Sequence, residues 1–122
     1  MSLAMNDRQF GLKTGDLKVI VQVLRQMATI NQALIFGSRA KGNYHDGSDI
    51  DIALKGEIDF KTLAELSFIL NEETLLPYKI DVVNYQQLLN SQLREHIDRV
   101  GIVIYERVLA TAATALEFRL DE

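Results

Sequence analysis

The chain has 122 residues, 48% hydrophobic and 25% charged, the make-up of one ordinary folded domain. A formal net charge of −4, no tryptophan and no lysine/arginine run argue against gripping nucleic acid by its phosphates and for a small-molecule or protein substrate. Zero cysteines exclude disulfides, thiolate zinc sites and cysteine nucleophiles and fit a reducing cytoplasm; no apolar run approaches the ~20 residues that span a bilayer, and no signal peptide is visible.

Residues 1–13 read as a polar, lightly packed N-terminal extension, in which Met1-Ser2-Leu3 looks like a vector remnant and Met5 a native start. Thr14 is placed to cap a helix with Asp16 in its first turn, and Leu17, Ile20, Leu24 and Met27 recur at helical spacing to about Ala28. Ile30 to Phe36 is a buried strand, Ser38 to about Asn43 a single helical turn, and a second strand runs to Leu54 with a turn at Lys55-Gly56. Asp59 can cap the next helix, whose apolar stripe is Phe60, Leu63, Leu66 and Leu70. Lys79 to Val83 forms a third strand beyond Pro77. Asn84, with Gln87 three residues on, is placed as a capping box for a helix lined by Leu89, Leu93, Ile97 and Val100, ended by a left-handed Gly101. Ile102 to Tyr105 is a short fourth strand, and residues 107–122 form a tail whose composition permits a helix. Helices alternating with strands predict an α/β (α+β) domain over 14–106, a small mixed sheet of about four strands covered by helices.

The informative stretch is Ala33 to Leu54. In a strand, Asp49 and Asp51 project from one face while Ile50 and Ile52 project from the other. Aspartate is a poor strand former and like charges on one face repel, so a sequence that keeps both calls for a counter-charge. Asp81 sits in a later apolar run that can pair alongside, and three converging carboxylates point to a metal with oxygen ligands, magnesium or alternatively manganese. Gly37 lets the backbone approach a ligand closely, and Ser38 opens a helical turn whose free amides can face an anion, with Arg39 and Lys41 adding charge. No Gly-Lys-Ser/Thr follows at the Walker distance.

A strand ending in Gly37-Ser38, ten intervening residues, then Asp49-Ile50-Asp51 resembles the signature of the polymerase-beta-like nucleotidyltransferase superfamily, with Asp81 in its Ile-Asp-Val setting similar to the third acidic position. The short chain is similar to the minimal nucleotidyltransferase (MNT) branch over roughly residues 14–105, whose members are often encoded beside a HEPN-domain protein. The resemblance implies a nucleotidyltransferase fold in which Gly37 and Ser38 grip a triphosphate, Arg39 contacts phosphate, and Asp49, Asp51 and Asp81 hold two Mg2+ ions, Asp81 also activating the acceptor. It further implies transfer of AMP from ATP to a hydroxyl, a tyrosine of a HEPN toxin, with the chain acting as cytoplasmic antitoxin. A rival from another class is a non-catalytic nucleotide-binding module that neutralises its partner by contact. Val103, Tyr105, Val108 and Leu109 look like spare apolar residues, which leaves self-association open.

Overall fold

The computed structural model of the chain describes residues 6–107. Its elements are α1 (Asp16–Arg25), β1 (Ile30–Phe36), α2 (Ser38–Lys41), β2 (Ile50–Gly56), α3 (Phe60–Phe68), β3 (Ile80–Asn84), α4 (Ser91–Val100) and β4 (Ile102–Glu106). The four strands stand in the order β3-β2-β1-β4, with β1 antiparallel to both neighbours and β2 parallel to β3. This is the expected mixed sheet.

The two faces of the sheet are unequal. Ile35, Ile50, Ile52, Leu54 and Ile80 join Ile20 and Leu24 of α1 and Leu66 of α3 in the larger core, the product of strand alternation meeting two apolar helix stripes. The opposite face holds a smaller cluster of Leu34, Phe36, Ala53 and Ile97 beneath α4. Asp51 pairs with Phe36 across the antiparallel ladder and Asp81 pairs with Asp51 across the parallel one, so both carboxylates belong to this thinner side. No described helix is long and apolar enough to cross a membrane.

Several local expectations are corrected by long-range contacts. The described part of this segment is not loosely packed: Asp7–Phe10 forms a 3-10 turn, and Phe10 and Leu12 are buried in the main core. Thr14 does not cap α1. Gly15, at φ 95, holds that place, while the Asp7 carboxylate accepts from the N–H groups of Gly15 at 3.2 Å and Leu17 at 2.8 Å. A cap brought from the preceding turn leaves nothing for a local side chain to do. Strand β2 runs on through Lys55 to Gly56, where a turn was expected, because β1 continues to pair with it.

Asp59 caps α3 as expected, accepting from the N–H of Thr62 at 2.8 Å. Phe60, read as part of the buried stripe, is instead 82% exposed, since the first turn of α3 overhangs the sheet. Asn84 caps nothing: its Nδ2 donates to the Ile58 carbonyl at 2.8 Å beneath the α3 entrance, and a 3-10 turn, Tyr85–Gln87, follows. Asn90 is the cap of α4, accepting from Gln92 and Leu93, which leaves Leu89 outside the helix and fully exposed. Gly101 is not left-handed, with φ −62; glycine is needed there because a Cβ would run into the Ile97 carbonyl and Leu34.

Tyr105 is buried in the main core and Val103 packs on the smaller one, so neither is a spare surface residue. Val108, Leu109 and the expected tail helix from residue 108 onward lie outside the described residues, as do residues 1–5.

Candidate active site

The site forms where β1 ends. Gly37 takes φ 74, ψ −155, a conformation open to glycine and strained for other residues. A Cβ at this position would strike the Asp51 carboxylate, so the missing side chain is what allows β1 to turn against β2. Gly37 was expected to bring the backbone close to a ligand; its first close neighbour is Asp51 itself. Within the α2 turn the N–H groups of Ala40 and Lys41 return to the Gly37 carbonyl and that of Gly42 to the Ser38 carbonyl. The leading N–H groups of Ser38 and Arg39 carry no intrahelical partner, as in any first turn.

Asp51 and Asp81 are directly paired residues of adjacent parallel strands, roughly 4.8 Å apart at the backbone. Both are half-buried, and Asp49 stands one residue ahead of β2. Burial, then the charge of Asp81, then that of Asp49, push the Asp51 carboxyl above its ordinary value of 3.8. Asp81 and Asp49 therefore both lie near enough to bear on Asp51. They are nonetheless open in arrangement. Among the described residues no three acidic, histidine or cysteine side chains close around a single point. Asp81 leans toward Lys79, the residue just ahead of β3, whose Nζ is 4.0 Å away. The Lys79 side chain is mostly exposed and that of Asp81 about half so, which makes this contact weak.

Arg39 corrects the expectation for it. It is 1% exposed and faces inward. Its guanidinium donates to the carbonyls of Phe10 at 2.9 Å, Gly11 at 3.2 Å and Ser48 at 2.7 Å, and it lies against the rings of Tyr44 and Tyr78. With its donors spent on carbonyls and stacked on tyrosines, it cannot serve as a phosphate contact. It ties the N-terminal turn to the loop before Asp49.

His96 is half-buried on α4 with its ring edge-on to Phe36, centroids 6.1 Å apart. That places it beside the strand partner of Asp51. Nothing in its charged helical neighbours signals this, because the contact depends on how α4 crosses β1. Lys79 and Asn71 were also passed over. The Asn71 carboxamide bonds both the N–H and the carbonyl of Ile80, next to Asp81, at 2.8 Å each.

Residues 18–108 match the family model described as polymerase beta, nucleotidyltransferase. The chain belongs to that family. The probable protein adenylyltransferase MntA of Haemophilus influenzae is 30% identical over 101 residues, spanning 81% of this chain and 87% of that one. Among solved structures, one chain of a toxin–antitoxin crystal structure with AMP-PNP superposes with a TM-score of 0.64 at 22% identity, covering 85% of this chain and 88% of that one. A chain of the complex of a tri-AMPylated Shewanella oneidensis HEPN toxin with an MNT antitoxin gives 0.58 at 21% identity, over 75% and 71%. Both likenesses place the sheet and helices of this nucleotidyltransferase domain in the same fold. The family generally works with divalent metal ions, and the oxygen-only donor set around Asp51 fits such a group: burial, then the charges of Asp81 and Asp49, raise a carboxyl that a nearby cation would lower again.

Proposed function

We propose that this nucleotidyltransferase transfers AMP from ATP to a tyrosine hydroxyl of a HEPN-domain toxin encoded beside it, and acts as that toxin's antitoxin. The observation that carries the reading is the pairing of Asp51 with Asp81 immediately beside the Gly37-Ser38 turn. The adenylyltransferase name of the Haemophilus influenzae relative and the HEPN toxin–antitoxin complexes of the fold neighbours support the choice of nucleotide and acceptor. ATP as donor and a reducing interior fit the cytoplasm.

In this reading Gly37 and the leading N–H groups of α2 orient the triphosphate, and Asp49, Asp51 and Asp81 would hold Mg2+. The ion supplies, when bound, positive charge against the triphosphate and the charge that develops on the α-phosphoryl oxygens. The acceptor oxygen bonds to the α-phosphorus as the bond to the bridging oxygen breaks, pyrophosphate leaves, and the hydroxyl proton passes to the Asp81 carboxylate. The Gly37–Asp51 contact keeps the phosphate turn and the carboxylates in fixed register. Arg39 holds the loop behind them from the inside.

The rival reading, a nucleotide-binding module that neutralises its partner by contact, draws on Lys79 beside Asp81 and on the open arrangement of the acids. Incubating the chain and its genomic neighbour with α-phosphate-labelled ATP and magnesium separates the two. Label on a tyrosine of the neighbour with wild type, and none with Asp81→Asn, supports transfer. A stable complex that binds ATP and never becomes labelled supports the module.

A further inference from the structure

We propose that the outer edge of β3 receives an extended segment of the acceptor protein, which adds there as a fifth strand and carries its hydroxyl side chain to the Asp81 face. The inference rests on the nucleotidyl-transfer reading above and names how that site selects its substrate.

In a parallel ladder, alternate residues turn both backbone groups to the same side of their strand. The Lys79 carbonyl accepts from Ile50 of β2 at 2.9 Å, so Ile80 turns outward, and the Asn71 carboxamide takes both its N–H and its carbonyl. The same alternation turns Val82 outward on an end strand of the sheet. Among the described residues no side chain serves Val82 as Asn71 serves Ile80. The edge is therefore covered for one residue and then left open, one position beyond Asp81. An open edge of this kind is a template for a strand from another chain.

A groove of about 510 Å³ opens beside the start of β3, lined by Ala64, Ser67, Phe68 and Asn71 with Glu72 and Lys79. Phe68 is 55% exposed on the outer flank of α3, and Phe60, two turns earlier, is more exposed still. Successive side chains of an incoming strand point alternately to the two faces. One set then meets Phe68 and Ala64, and the other lies on the side of Asp51 and Asp81, with strands spaced roughly 4.8 Å apart. A segment that pairs with β3 at Val82 thus delivers a hydroxyl to the acids as a consequence of its pairing. The other end strand, β4, is separated from β3 by two strands and has no such continuity with Asp81.

The test uses Phe68→Glu, which puts a charge on the exposed flank, and Val82→Pro, which deletes the outward N–H while leaving the ladder to β2. Thermal melting confirms that each is folded. Initial rates of label transfer to the intact partner, varied in partner and in ATP, are expected to show KM for the partner at least about tenfold higher in both variants. KM for ATP and kcat at saturating partner are expected to stay at wild-type values. Partner KM unchanged in both folded variants overturns the inference, as does a matching rise in KM for ATP. Calorimetric titration of the partner without ATP separates the two readings. If wild type transfers no label yet its partner affinity falls in both variants, docking at β3 stands and transfer fails; if affinity is also unchanged, both fail.

Discussion

Two charged regions flank the loop between β1 and β2, and the protein treats them in opposite ways. Arg39, at the start of that loop, is fully buried and satisfied by the carbonyls of Phe10, Gly11 and Ser48. Asp49, Asp51 and Asp81, toward its end, are left half-exposed, with the charges of Asp81 and Asp49 bearing on Asp51 and Lys79 in weak contact with Asp81. A charge neutralised by the protein's own dipoles has become part of the scaffold. A cluster left unneutralised is a place prepared for something from outside. The sign and position of a residue do not separate these cases; what its neighbours already supply does.

The sharpest way to break this contrast is Asp51→Asn, expected to lower AMP transfer about a thousandfold, since the charge balance it removes is worth several kcal/mol in the transition state; transfer at the wild-type rate would show that the acids are not the working centre. Next is Arg39→Met, which leaves buried carbonyls without donors and should lower unfolding free energy in urea by about 2–4 kcal/mol. A variant of normal stability with weakened ATP binding would return Arg39 to the phosphate site.

The pH dependence of stability in chelator sharpens the acidic side. Burial, Asp81 and Asp49 raise the Asp51 carboxyl above 3.8, so its contribution is complete below that value and is lost as pH rises through the raised one. Asp51→Asn should therefore melt higher than wild type at neutral pH, the gap closing as pH falls below 3.8. Asp59 gives the smallest effect and the opposite sign. Hydrogen bonds from the Thr62 backbone and side chain lower its carboxyl below 3.8, so the stability it gives α3 is present above that value and fades as pH drops through the lowered one. Asp59→Ala should melt slightly lower at neutral pH and converge on wild type in acid.

Much of the site was legible because it is written in local chemistry. Gly37-Ser38 after an apolar run and an Asp-x-Asp that leads into a strand mark the candidate site through backbone freedom and side-chain alternation, which need only neighbours in the chain. Arg39 was misread for the converse reason: beside a glycine-serine turn it looks like a phosphate ligand, and only the return of the N-terminal segment, with the Phe10 carbonyl, gives it another occupation. Thr14 and Asn84 are good caps in the wrong places. Asp7 caps α1 ahead of Thr14, and Ile58 takes the Asn84 amide. Phe60 has the right periodicity on a turn that overhangs the sheet.

What the sequence by itself determined is the order of strands and helices, the carboxylate face of β2 and the glycine that must turn beside it. Each follows from alternation, periodicity or backbone sterics within a few residues. Only the tertiary structure decided that β3 lies parallel against β2 with Asp81 opposite Asp51, that the cation of the loop is spent inside, and that β3 is an end strand of the sheet among the described residues. Those depend on which segments distant in the chain reach a given donor or acceptor first, and burial makes that competition decisive, because a polar group removed from water must take whatever partner the fold brings to it.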